Sequence, residues 1–136
     1  MERVIVAVDA VEEARLAGGI DVVGEARTGF EALRILAVRP AAVVVLDVRL
    51  PDLSGVEVAR RVAQIAGKRT AVVLYTSYAD RKLVADALAV GARAVVLKDA
   101  APENLIRAIR HVAGGGVYVD SRLLPSPVEH DQIELA

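Results

Sequence analysis

Four polar positions stand directly behind apolar runs: Asp9 behind Val4–Val8, Asp47 behind Ala42–Leu46, Thr76 with Ser77 behind Ala71–Tyr75, and Lys98 behind Ala94–Leu97. Two carboxylates can hold a hard cation such as Mg²⁺ through oxygen, a hydroxyl can bind an anionic oxygen, and an ammonium can neutralise the charge that remains. Together these groups suit a phosphoryl group. One polar residue at a strand end reads most simply as a solvent contact. Four in matching places imply a shared site, provided that the fold brings them to one edge.

The elements that must do so are legible. The runs Val4–Val8, Ile20–Gly24, Ala42–Leu46, Ala71–Tyr75 and Ala94–Leu97 are rich in Val, Ile and Leu without strict polar alternation, the pattern of strands buried on both faces. Between and after them, Phe30–Val38, Val56–Ala66, Lys82–Val90 and Leu105–Ala113 space apolar residues at three and four, as helices do. Pro102 with Glu103 makes a helix start, and Gly91 and Gly114 stand where helices stop. This alternation predicts an α/β fold: a doubly wound, mostly parallel sheet of five strands with helices on both faces. Ligands bind such sheets beyond the carboxyl ends of the strands, where the strand order reverses. Asp9, Asp47, Thr76 and Lys98 therefore converge.

Composition narrows the function classes. The chain has 136 residues, 54% of them hydrophobic, which suits one compact domain. There is no cysteine, hence no disulfide framework and no thiolate metal site. Val4–Val8 is too short for the apolar core of a signal peptide, so a cytoplasmic protein without membrane association is expected. Lys and Arg number 17 against 18 Asp and Glu, which leaves no basic excess for direct binding of a nucleic-acid backbone. The Gly-rich stretch at 113–118 follows a helix and reads as its end, and His111 and His130 read as surface residues. A domain over 1–120 is expected, with 121–136, which contains Pro125 and Pro127, as a linker or C-terminal tail.

The stretches "VIVAVDA", "VVVLDVRLPDLSG", "VVLYTSYAD" and "GARAVVLKDAAPENLIRAI" resemble the receiver domain of two-component response regulators, in the NarL/LuxR-type subfamily usually linked to a helix-turn-helix DNA-binding domain. The resemblance spans residues 3 to 120. It implies the flavodoxin-like (CheY-like) strand order 2-1-3-4-5. It further implies that Asp47 is the phosphoacceptor, receiving phosphate from a sensor histidine kinase, and that Asp9, Asp47 and the Arg49 backbone carbonyl ligate Mg²⁺. By the same resemblance Thr76, with Ser77, binds a phosphoryl oxygen, and Lys98 pairs with the phosphate. Arg49 and Tyr78 hold positions that govern access and dephosphorylation, and their bulk predicts slow loss of the phosphate. Transcription regulation is the implied output, and DNA would be reached only through a C-terminal output domain that these 136 residues do not include. A homodimer is the further partner that the resemblance implies.

Three departures from the family pattern are visible. In the gap-free alignment Asp9 takes the second place of the family's acidic pair and Val8 replaces the first, which predicts weakened Mg²⁺ binding. Val95 stands where the family carries the aromatic switch residue, so no switch aromatic is expected there. The stretch behind Asp9 is shorter than usual by roughly seven residues, about two helical turns, which predicts a shortened first helix around Val11–Ala17 and argues against the family's dimer mode through the first and last helices. Val8, Val95 and the short helix support an alternative, a degenerate receiver that acts as a phosphorylation-independent interaction module. A flavin protein or an aspartate-nucleophile phosphatase fits poorly. No Gly-rich loop follows the first strand, and "DAV" lacks the second acid that such phosphatases place two residues on. The chain is not expected to be an enzyme.

Overall fold

A computed structural model describes residues 2–7 and 18–123, and the elements below are numbered over those residues. The strands are β1 Glu2–Ala7, β2 Ile20–Glu25, β3 Val43–Leu46, β4 Ala71–Thr76, β5 Ala94–Leu97 and β6 Tyr118–Val119. The helices are α1 Gly29–Val38, α2 Gly55–Ala66, α3 Arg81–Ala89 and α4 Pro102–Ala113. All neighbouring strands pair in parallel, in the order β2-β1-β3-β4-β5-β6. The order expected for the first five is found.

The lack of polar alternation in the strands has a direct cause. Successive side chains point to opposite faces of a sheet, and here both faces are covered. Ile5, Val44, Leu46, Val72, Leu74 and Val95 pack into one core with residues of α1, α2 and α3. Val4, Val6, Val43, Val45, Val73 and Val96 pack into the other with Leu105, Ala108, Ile109 and Val112 of α4. A polar residue at any of these positions would lack a partner in the interior.

Helix starts follow local rules. Thr28 Oγ1 accepts from the Glu31 amide and Ser54 Oγ from the Glu57 amide, each at 3.0 Å, which gives both helices the Ser/Thr-x-x-Glu pattern of a capping box. Asp80 Oδ1 accepts from the Leu83 amide at 2.8 Å at the head of α3, and Pro102 opens α4. The strand–loop junctions thereby fall at fixed places.

The sheet has one strand more than the five expected. Tyr118 pairs with Ala94 and Val119 with Val95, and two residues are too few to leave a periodic signal. The first three residues of the expected linker, Ser121–Leu123, form a 3₁₀ turn, and Leu123 is buried in the core that contains Val95. Val8, Asp9 and the expected short helix at 11–17 lie outside the described residues. So does the remainder of the tail from 124.

Candidate functional site

Asp47 follows β3 directly, where the rigid end of a buried strand presents its carboxylate at the C-terminal edge of the sheet. Lys98 follows β5 in the same way. Its Nζ donates to Asp47 Oδ2 at 2.6 Å, and the two side chains are 24% and 21% exposed. The other carboxylate oxygen, Oδ1, accepts from the Arg49 amide at 3.0 Å. Each oxygen of Asp47 is thus engaged by one donor, and a carboxylate has lone pairs to spare for more. Lys98 also lies 6.0 Å from the ring centroid of Tyr75, within cation–π range.

Thr76 ends β4, between the strands that carry Asp47 and Lys98, and is almost fully buried. Its carbonyl accepts from the Lys98 amide at 2.7 Å. Its hydroxyl donates to the Tyr78 carbonyl at 3.2 Å, within the loop that leads to α3. Ser77 and Tyr78 are exposed on that loop, Tyr78 at 67%. Val95, at the expected place of the switch aromatic, is fully buried. The structure therefore brings together Asp47, Arg49, Thr76 and Lys98, with Ser77 and Tyr78 beside them. Asp9 lies outside the described residues.

The loop after Asp47 returns sharply. The Gly55 amide donates to the Val48 carbonyl at 2.8 Å, and Arg49 and Ser54 form a single antiparallel bridge. A Cβ at Gly55 would stand 2.9 Å from Val48 Cα and 3.0 Å from the Asp47 carbonyl carbon, and would overlap the carbonyl oxygen. Only glycine lets the chain pass so close to the acid.

The oxygen donors at this edge suit Mg²⁺ in kind, since a carboxylate and a backbone carbonyl are hard ligands. Asp47 and the Arg49 carbonyl would hold it, with Asp9 as the further carboxylate that the sequence supplies. Among the described residues no group of three or more His, Cys, Asp or Glu side chains is placed to hold a metal ion. A site at this edge would draw on backbone oxygen as well as on side chains.

Three functional candidates escaped sequence reasoning. Asp52 accepts hydrogen bonds from the first turn of α1. Asp120 is buried beside Arg122, which donates to it through its amide, Nε and Nη2 at 3.1–3.2 Å. Burial raises the Asp120 carboxyl, but the bonds and charge of Arg122 outweigh it and hold the group below the usual carboxylate range. Arg122 also reaches Asp99, next to Lys98, at 2.8 Å. The Asp after Pro51 and the Asp-x-Arg of 120–122 are the only sequence traces of these contacts.

A family model for the response regulator receiver domain matches residues 7–110. The uncharacterized transcriptional regulatory protein YhcZ of Bacillus subtilis is 36% identical over 111 residues, covering 82% of this chain and 51% of its own length. The DNA-binding transcriptional activator DevR/DosR of Mycobacterium tuberculosis is 40% identical over 104 residues, covering 76% of this chain and 47% of its own. The chain thus spans about half the length of the curated relatives it matches. Among solved structures, the signal receiver domain of the putative response regulator NarL from Mycobacterium tuberculosis superposes with a TM-score of 0.77 at 31% identity, covering 84% of this chain and 97% of that one. No helix among the described residues is long and apolar enough to cross a membrane.

Proposed function

Since the chain belongs to the response regulator receiver domain family, we propose that Asp47 is its phosphoryl acceptor, supplied by a phosphohistidine of a sensor histidine kinase. The observation that carries this reading is the Asp47–Lys98 pair at the sheet edge. A nucleophilic carboxylate held at a strand end, with one ammonium on it and an amide behind it, is oriented before the donor arrives. Transfer forms a P–O bond to Asp47 as the P–N bond of the donor breaks, and the imidazole nitrogen keeps the electron pair. Bound Mg²⁺ supplies charge compensation for the phosphoryl oxygens.

The other residues then change partners. Lys98 follows the charge from the carboxylate onto the phosphoryl group. The Thr76 hydroxyl has one proton to donate, and it now spends that proton on the Tyr78 carbonyl. Binding a phosphoryl oxygen requires it to release that carbonyl, which frees the loop at the head of α3. The surface of α3 and β5 is where the change reaches a downstream partner. We assign that output to transcription, through a DNA-binding domain in a longer protein, and place the chain in the cytoplasm, with a homodimer as the expected assembly.

Intact mass after incubation with a small acyl-phosphate donor tests this reading, with and without Mg²⁺, on wild type and Asp47→Asn. A gain of one phosphoryl group that requires both Mg²⁺ and Asp47 is the expected result. A folded protein that gains none sinks the reading. It would favour the phosphorylation-independent interaction module, which the buried Val95 already supports by leaving the switch aromatic out.

A further inference from the structure

The loop that carries the phosphoryl site is fastened at two points. Its base is the glycine contact already described, where Gly55 lies against the Asp47 carbonyl. Its tip is Asp52. The Oδ1 atom of Asp52 accepts from the amides of Gly29 and Leu53, and Oδ2 from the amide of Phe30, all at 2.8 Å. Gly29 and Phe30 open α1, where amides have no partner within the helix and the dipole favours an anion. The Thr28 hydroxyl satisfies the Glu31 amide locally. Asp52 satisfies the two preceding ones from 22 and 23 residues away.

Arg49 lies between these fastenings. Its amide holds Asp47 Oδ1 at 3.0 Å, and its carbonyl is the backbone oxygen assigned to the cation. A hairpin fixed only at its base could tilt and carry that carbonyl away. One fixed at both ends cannot. We infer that Asp52 is a positioning residue for the phosphoryl site: its two-oxygen grip on the first turn of α1 holds the 48–55 loop so that the Asp47 carboxylate and the Arg49 carbonyl face one cation. The inference rests on the reading of Asp47 as acceptor. The Phe30 amide, followed by those of Gly29 and Leu53, holds the Asp52 carboxyl below the usual range, so the grip is anionic at neutral pH.

The same bonds also cap a helix, and a control separates the two roles. Thr28→Ala removes a cap from the same helix and none of the bonds that Asp52 makes. Asp52→Ala, Asp52→Asn and Thr28→Ala are compared with wild type by calorimetric Mg²⁺ titration of the unphosphorylated chain, amide exchange at Gly29, Phe30 and Arg49, and thermal melting. Supporting contacts around a metal site commonly change its affinity by about tenfold or more. Asp52→Ala is expected to weaken Mg²⁺ by about that factor and to speed exchange at all three amides, with Asp52→Asn intermediate. Thr28→Ala is expected to lower the melting temperature and leave Mg²⁺ affinity unchanged.

The proposal falls if Asp52→Ala binds Mg²⁺ like wild type, if Thr28→Ala loses as much affinity, or if wild type binds no Mg²⁺. A wild type that binds Mg²⁺ but takes no phosphoryl group, while Asp52→Ala loses the metal, overturns the acceptor reading and leaves Asp52 in its role.

Discussion

The Lys98 ammonium lies 2.6 Å from Asp47 Oδ2, though 51 residues separate the two in the chain. The contact exists because β3 and β5 flank β4 in a parallel sheet and end at the same edge. Lys98→Ala is expected to slow phosphorylation of Asp47 by about tenfold or more. A hydrogen bond to a charged group is worth about 1.5–3 kcal/mol, and each 1.4 kcal/mol is a factor of ten in rate. Stability should change by about 1 kcal/mol or less, since the pair is partly solvated. Time-resolved intact mass and a urea melt check the two halves separately.

Tyr78 stands two residues past Thr76 and is exposed, so its removal should leave the fold unchanged to within about 0.5 kcal/mol. If its ring crowds the path of water to the acyl phosphate, Tyr78→Ala will lose phosphate severalfold faster than wild type. Equal decay rates after donor removal would dispose of that role.

Gly55→Ala places a methyl group into the Asp47 backbone. Overpacking of this kind costs about 1–3 kcal/mol, readable as a lower urea midpoint at constant slope. Relief of the overlap at the expense of the Asp47 carbonyl lowers phosphoryl uptake by more than the unfolded fraction accounts for, and that is the expected result. Full uptake in the folded fraction would mean that the loop yields without moving the acid.

Asp120 gives an acid limb to stability. Its folded-state carboxyl lies below the unfolded value, so its contribution is complete above the ordinary Asp value of about 3.9 and is lost as pH falls through the lower folded value. Asp120→Asn should flatten this limb in a comparison of urea midpoints from neutral pH to pH 3. Arg122→Ala leaves a buried carboxylate without its main partner, at a cost of about 1–3 kcal/mol near neutral pH.

Where the sequence was readable, the cause is periodicity. Val43 and Val45 face one core and Val44 and Leu46 the other, which is why a strand covered twice carries no polar gap. Strand ends then located Asp47, Thr76 and Lys98, because a polar residue after such a run must lie at its edge. Tyr118–Val119 left no such trace in two residues. Asp52 could not be assigned either, since its partners Gly29 and Phe30 are neighbours only once α1 has packed beside the loop. The Arg122–Asp99 contact likewise depends on β6, which brings the two together across 23 residues.

Because β6 runs parallel to β5, the chain does not leave the domain where α4 ends. Tyr118 and Val119 run beside Ala94 and Val95, and Arg122 then reaches Asp99, next to Lys98 at the rim that holds the acid. From β3 to β6 is three strand spacings, about 14 Å at 4.7–4.9 Å each. Arg122 therefore stands a short lateral step from Asp47, on the Lys98–Asp99 side. The end of α4, by contrast, lies near the start of β5, toward the opposite edge of the sheet.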